Sequence, residues 1–178
     1  MLVVVGGAAG VDDALLGRLR PVFWDHILPA VEATRAAVVD GGTNAGVMRA
    51  TGDMHGDSGW PLIGVIAESV FDADMIEAHH TDVLVVPGQT WGDESPWIAQ
   101  VASVLAGPFP SVTLLVNGGE IAQRDVDESL RLDRRIIVAL GTGRLADDLE
   151  IESDLISRID PFVDGDSFAR GLREALST

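Results

Sequence analysis

Neither cysteine nor lysine occurs anywhere in the 178 residues. The first absence excludes disulfides, thiolate nucleophiles and sulfur-ligated zinc by composition, and an intracellular, cytoplasmic address fits best. The second makes all twelve basic side chains arginine, set against 28 acidic ones for a formal charge of −16. A pI of about 4.3 makes duplex nucleic acid and anionic membranes poor bulk partners, so any phosphate binding has to be local. Long apolar runs are missing too. The longest uncharged stretch, Ser95 to Gly119, is broken by Gly107, Pro108 and Pro110, and no membrane insertion is expected. The start of the chain has no positive region ahead of its apolar residues, and Gly6-Gly7 closes that run too early for a signal peptide. With 47% hydrophobic residues the chain is far from the composition of disorder, and its length suits one compact domain over 1–178.

What is present is a rhythm: short aliphatic blocks, each followed by glycine or a helix-starting polar residue and then a helical pattern. The blocks predict strands at Leu2 to Val5, Ala37 to Asp40, Leu62 to Ala67, Val83 to Val86, Val112 to Val116 and Ile136 to Leu140, with a weaker seventh near Ile159 to Val163. Most are apolar on both faces, which suits a mostly parallel sheet of six or seven strands with helices on both faces, an α/β doubly wound fold. Helical spacing runs from Leu15 to Val31, where Pro21 and Pro29 predict one or two breaks or restarts, and again over Ser95 to Ala106, Glu120 to Leu132 and Asp166 to Leu176. In such folds ligands sit beyond the carboxyl ends of the strands. Gly6-Gly7, Gly41-Gly42, Gly88, Gly118-Gly119 and Gly141 all follow strands, and so are expected along one edge of the sheet around one crevice.

Four segments carry candidate chemistry. Asp40-Gly41-Gly42-Thr43-Asn44-Ala45-Gly46-Val47-Met48 has the order strand, glycine pair, small polar residues, helix start, which offers free N–H groups and a positive helix end to an anion. A structural reading is equally simple: tight strand-to-helix turns want glycine. Gly141-Thr142-Gly143-Arg144 adds a hydroxyl and a forked cation, with a surface ion pair to Asp147 or Asp148 as the plainer role. In Gly88 to Trp97 the acidic pair Asp93 and Glu94, with Ser95, is expected to cap a helix, while Trp91 either stacks on a base or plugs a gap. Asn117-Gly118-Gly119-Glu120 places polar groups for ribose hydroxyls, and Asp125 and Glu128 share a helical face. Of the adjacent His79 and His80, one is expected buried and the other solvent-facing. No metal site is predicted: adjacent histidines in extended chain point apart, and Asp53, His55 and Asp57 are ligand-like only in a loop that folds back on itself.

Taken in order, Asp40-Gly-Gly-Thr-Asn-Ala-Gly-Val-Met-Arg49, Ile63-Gly-Val-Ile-Ala67, His80-Thr-Asp-Val-Leu-Val-Val86, Trp91-Gly-Asp-Glu94, Asn117-Gly-Gly119 and Gly141-Thr-Gly-Arg-Leu-Ala-Asp147 resemble the N-terminal homology region of melastatin-type TRP channels and its free-standing bacterial counterpart, the prokaryotic SLOG domain of the LSDAT superfamily. The resemblance implies a Rossmann-like fold that binds nucleotide-derived small molecules such as ADP-ribose and cyclic ADP-ribose. It puts Gly41, Gly42, Thr43, Asn44 and Met48 on the phosphate side, with Gly118, Gly119 and Glu120 at the ribose or second phosphate. Thr142, Gly143 and Arg144 are then a diphosphate clamp. Gly6, Gly7, Gly88, Trp91, Asn117 and Gly141 complete the expected lining. The wider superfamily includes Lonely Guy-type phosphoribohydrolases, whose Pro-Gly-Gly-x-Gly-Thr-x-x-Glu turn is distorted here to Pro87-Gly-Gln-Thr-Trp-Gly-Asp-Glu94.

The leading expectation is therefore a sensor or binding domain that needs no cofactor. The alternative is a nucleotide N-glycosidic hydrolase using Glu94, Glu120 or Asp125 as acid or base. Self-association into a homo-oligomer and a separately encoded effector are the expected partners.

Overall fold

The computed structural model describes residues 1–177. Its strands are β1 (Leu2–Gly6), β2 (Val38–Asp40), β3 (Leu62–Ala67), β4 (Asp82–Val86), β5 (Val112–Val116), β6 (Arg135–Ala139) and β7 (Ile156–Ile159). All neighbours pair in parallel in one sheet of order β4-β3-β2-β1-β5-β6-β7. Strand order reverses between β1 and β5, so the topological switch point lies where Gly6-Gly7 and Asn117-Gly118 leave their strands.

Alternate side chains divide the core into two layers, as a parallel sheet covered on both faces requires. Leu2, Val4, Leu114 and Val116 face α1 (Asp13–Pro21), α2 (Leu28–Thr34), α3 (Gly46–His55) and α7 (Gly165–Ser177). Val3, Val5, Leu115 and Val138 face α4 (Ser95–Ala106), α5 (Glu120–Arg131) and the short α6 (Leu145–Asp148).

Two expectations need correction, and a third resolves between its alternatives. The seventh strand ends at Ile159 rather than beginning there, because Asp160 turns the chain by accepting the Phe162 and Val163 amides at 2.8 and 3.2 Å. At the two prolines the helix changes form and restarts rather than breaks. Pro21 ends α1 without an N–H to give, and the chain widens into a π-helical segment, Val22–Ile27, in which Leu28 N bonds Phe23 O five residues back. Pro29 then falls in the first turn of α2, where its missing N–H costs nothing. Finally, β4 is not buried on both faces: as the sheet's edge it leaves Leu84 and Val85 exposed.

Candidate functional site

The glycine turns do collect at the carboxyl edge of the sheet, and the amides of Gly42, Gly92, Gly141 and Gly143 are taken by the chain's own carboxylates. Asp147 Oδ1 accepts from Gly141 N at 2.6 Å and its Oδ2 from Gly143 N at 3.0 Å. Asp93 Oδ2 accepts from Gln89 N and Thr90 N at 2.8 and 3.0 Å, which holds its pKa below the usual carboxylate range, and Glu94 Oε2 accepts from Gly92 N at 2.9 Å. Asp40 Oδ1 accepts from Gly42 N at 2.7 Å. This corrects the capping reading of Asp93, Glu94 and Ser95: no side chain caps α4, and the two carboxylates brace the preceding turn instead. It also corrects the surface-pair reading of Asp147, whose spacing from Gly141 is that of a turn clasp.

The expected phosphate cradle differs most. Thr43 pairs antiparallel with Ile76, Asn44 N donates to Met75 O at 2.7 Å, and Glu77 N donates to Gly42 O at 3.0 Å, so the strap Ala73 to Glu77 lies across the loop. Met48 belongs to the core, and none of Gly41 to Met48 lines either of the two cavities described below. At the start of α3, Val47 N donates to Gly7 O at 2.9 Å; Gly46, at φ +51°, has no room for a Cβ against Gly7 O.

The strap is locked from beneath by a buried ionic chain. His80, whose side chain is fully buried, bonds Asp40 Oδ1 through Nε2 at 2.8 Å and Glu77 Oε2 through Nδ1 at 3.1 Å, while the half-exposed His79 bonds Glu77 Oε1 through Nδ1 at 2.7 Å. Burial is the largest single influence on His80 and pulls its pKa down. The hydrogen bond and charge of Asp40, with the carbonyl and carboxylate of Glu77, together outweigh it and leave the pKa raised. His55, by contrast, spends its ring nitrogens on Gly56 O and Trp60 O at 2.7 and 2.8 Å.

At the switch point, Arg144 Nη1 donates to Ala9 O at 2.8 Å, and the guanidinium lies against Gly10 on one side and Gly119 on the other. A Cβ on Gly119 would come within 2.5 Å of Arg144 Nη2, so glycine there admits the cation to the start of α5. Arg144 and Asn117 hold positive φ of 54° and 58°. That left-handed backbone is costly for side chains and clusters at functional turns. Thr142 is buried and stitches the loops: its Oγ1 accepts from Asn117 N at 2.8 Å and donates to Ala139 O at 2.7 Å. Asn117 Nδ2 donates to Thr142 O at 2.7 Å, and its Oδ1 is buried without a partner among the described residues.

Two cavities open along this edge. One, of about 370 Å³, is lined by Asn117, Gly141, Thr142 and Gly143 together with Asp12, which caps the start of α1, and Arg18 in its last turn. The other, of about 590 Å³, lies between the β4 turn and helices α4 and α5, lined by Gly88, Gly92, Ser95, Arg124 and Asp127 among others. Beside it sit Glu94 and Asp125, both buried. Burial raises the Glu94 pKa, against the Gly92 amide, and pushes Asp125 up to about 7, opposed by the Ser95 hydroxyl and reinforced by Glu94. Glu120 and Trp91 are exposed, the former in the first turn of α5. Arg18 and Arg124 were missed from the sequence. The usable signal was that cations are few in this chain and both arginines fall inside segments of helical spacing that flank the glycine turns.

A seven-stranded parallel sheet with its loops gathered at a β1/β5 switch point makes this a Rossmann-like α/β protein. Residues 1–167 match the profile of the family described as SLOG in TRPM, prokaryote, and the chain belongs to that family. Among solved structures it is similar to the structural-genomics protein TM1055, at 17% identity and TM-score 0.69 over 89% of this chain and 90% of that one. The molybdenum cofactor carrier protein of Chlamydomonas reinhardtii matches at 15% identity and TM-score 0.66 over 96% of each chain. The molybdenum cofactor binding protein of Rippkaea orientalis matches at 14% and TM-score 0.58, over 99% of this chain and 86% of that one. No curated protein matches the sequence significantly.

Proposed function

We propose that this protein binds nucleotide-derived small molecules, ADP-ribose, cyclic ADP-ribose or related nucleotide diphosphate sugars, along the carboxyl edge of its sheet. The observation that carries the reading is the placement of Arg144. Its guanidinium bridges the β1 and β5 loops at the switch point, beside the start of α5, where a permanent fork of donors suits a diphosphate. Arg18 and Arg124 add a cation at each cavity, and membership of the SLOG family supports the same ligand class. Because Asp93, Glu94 and Asp147 engage the amides of Gln89, Thr90, Gly92, Gly141 and Gly143, the arginines supply the positive potential at those two turns. Titration calorimetry with ADP-ribose, cyclic ADP-ribose, NAD and AMP tests the reading. Molybdenum cofactor belongs in the same panel, since two fold neighbours are described by it. Saturable heat with a nucleotide ligand is expected; a folded sample that binds none of them at millimolar concentration refutes the proposal.

A second reading, nucleotide N-glycosidic hydrolysis, is favoured by Glu94 and Asp125, two buried carboxyls with raised pKa beside the larger cavity. Chromatographic release of free base, lost in Glu94→Gln, supports it, whereas ligand that stays intact while bound leaves the binding reading alone. Any output through a homo-oligomer or a separate effector is expected to follow ligand occupancy, which light scattering with and without ADP-ribose reports.

A further inference from the structure

The larger cavity has an unfinished floor. Ser95 opens α4 and lines the cavity, yet it is almost wholly buried and its Oγ has no hydrogen-bond partner among the described residues. Behind it, on α5, Asp125 is also buried; its Oδ1 likewise has no partner at full hydrogen-bond distance, although the Ser95 hydroxyl lies close enough to draw its pKa down. Two buried polar atoms left open side by side are costly, and native structures keep such groups where a ligand or a proton completes them. The surrounding charges do not complete them. Glu94 commits Oε2 to Gly92 N, Glu128 is held by Arg131 at 2.6 Å, and Asp127 accepts from Gln123 at 2.9 Å. Arg124, which lines the cavity, makes no hydrogen bond or ion pair among the described residues.

We propose that Ser95 and Asp125 form a proton-controlled hydrogen-bond site in the cavity floor, which offers a donor to a ligand oxygen when Asp125 is protonated and an acceptor when it is ionised. The logic is that of hydroxyl and carboxyl inventories. An ionised Asp125 can only accept, so it draws the Ser95 proton toward itself and turns Ser95 lone pairs into the cavity. A neutral Asp125 can donate to Ser95 Oγ and so frees the Ser95 proton for the ligand. Asp125 faces Glu94 from the β4 turn and Arg124 and Glu128 from its own helix; Glu94 and Glu128 favour its neutral form and Arg124 opposes them. Burial dominates these and puts the transition at about 7. The ligand group selected by the protonated state is an anionic or carbonyl oxygen, with Arg124 as the nearby cation. This inference rests on the nucleotide-binding reading and adds its regulation.

ADP-ribose is the probe, because its diphosphate has no ionisation of its own near neutrality. If only the protonated site binds, the apparent affinity falls about tenfold from about pH 6 to about pH 8, in proportion to the competent fraction. In Asp125→Asn, permanently neutral, that dependence disappears and affinity stays at its low-pH value. In Ser95→Ala the low-pH affinity is lost. Asp125 is also followed without ligand by carboxyl-carbon NMR, where it must titrate near neutrality and rise further in Ser95→Ala. Unchanged pH dependence in Asp125→Asn, or an Asp125 that titrates in the ordinary carboxylate range, overturns the proposal. Failure of ADP-ribose to bind at any pH refutes instead the binding reading, and the NMR titration still decides the pair.

Discussion

Removing His80 tests how the strap over the Thr43 loop is held. In His80→Ala, Asp40 keeps only the Gly42 amide, with Oδ2 already unpartnered, and Glu77 loses its second histidine. Breaking one side of a buried ionic contact costs about 3–5 kcal/mol, because the remaining charge stays desolvated. For a domain of this size each kcal/mol moves the melting temperature by about 2–4 °C, so a fall of about 6–20 °C is expected. The pH dependence has a definite sign. A histidine whose folded pKa is raised contributes stability that is fully present below its unfolded pKa of about 6.5 and is lost as pH rises through the folded value. Wild-type protein should therefore lose part of its melting temperature as pH rises above about 6.5 and through the raised folded value, and the variant should lack that part of the slope. Circular dichroism melts across this range provide the assay. His80→Gln, which keeps a neutral donor, guards against a variant too unstable to melt. A melting temperature within about 2 °C of wild type in His80→Ala, with an unchanged pH slope, would refute the buried ion chain as the strap's anchor.

Arg144→Ala is expected to weaken ADP-ribose binding about 10- to 100-fold, the worth of about 1.5–3 kcal/mol for hydrogen bonds to a charged group, with little change in melting temperature; calorimetry checks both halves of that statement. Thr142→Val keeps the shape but leaves Asn117 N and Ala139 O unsatisfied in the interior, so urea unfolding should show a loss of about 2–5 kcal/mol. A loss below about 0.5 kcal/mol would mean that water satisfies the two groups instead.

The strands were legible because aliphatic blocks at fixed distances from glycines have few other uses. β3 and β5 match their expected bounds, and the seventh strand shifted because Ser157 and Arg158 interrupt its apolar pattern. The crevice edge was legible for the same reason. The direction of the loop hydrogen bonds was not, since a carboxylate three or four residues beyond a glycine turn can face water, cap a helix or fold back. Asp147 and Asp93 fold back, and only the three-dimensional course of the turn decides that. The burial of His80 on Asp40 joins residues 40 apart in sequence and leaves no local signature. Asp125, read as one member of a helical acidic pair, proved buried because α4 packs over its face, a tertiary fact.

Loops clasped by their own acidic side chains have a consequence for the energetics of recognition. A turn that is floppy until its guest arrives must surrender freedom at the moment of encounter, and part of the attraction is consumed in stilling it. Here Asp147 immobilises the Gly141 turn in advance, and Asp93 does the same for the Gln89 turn. A guest should meet walls that are already rigid, enter quickly, and leave the backbone nearly where it found it.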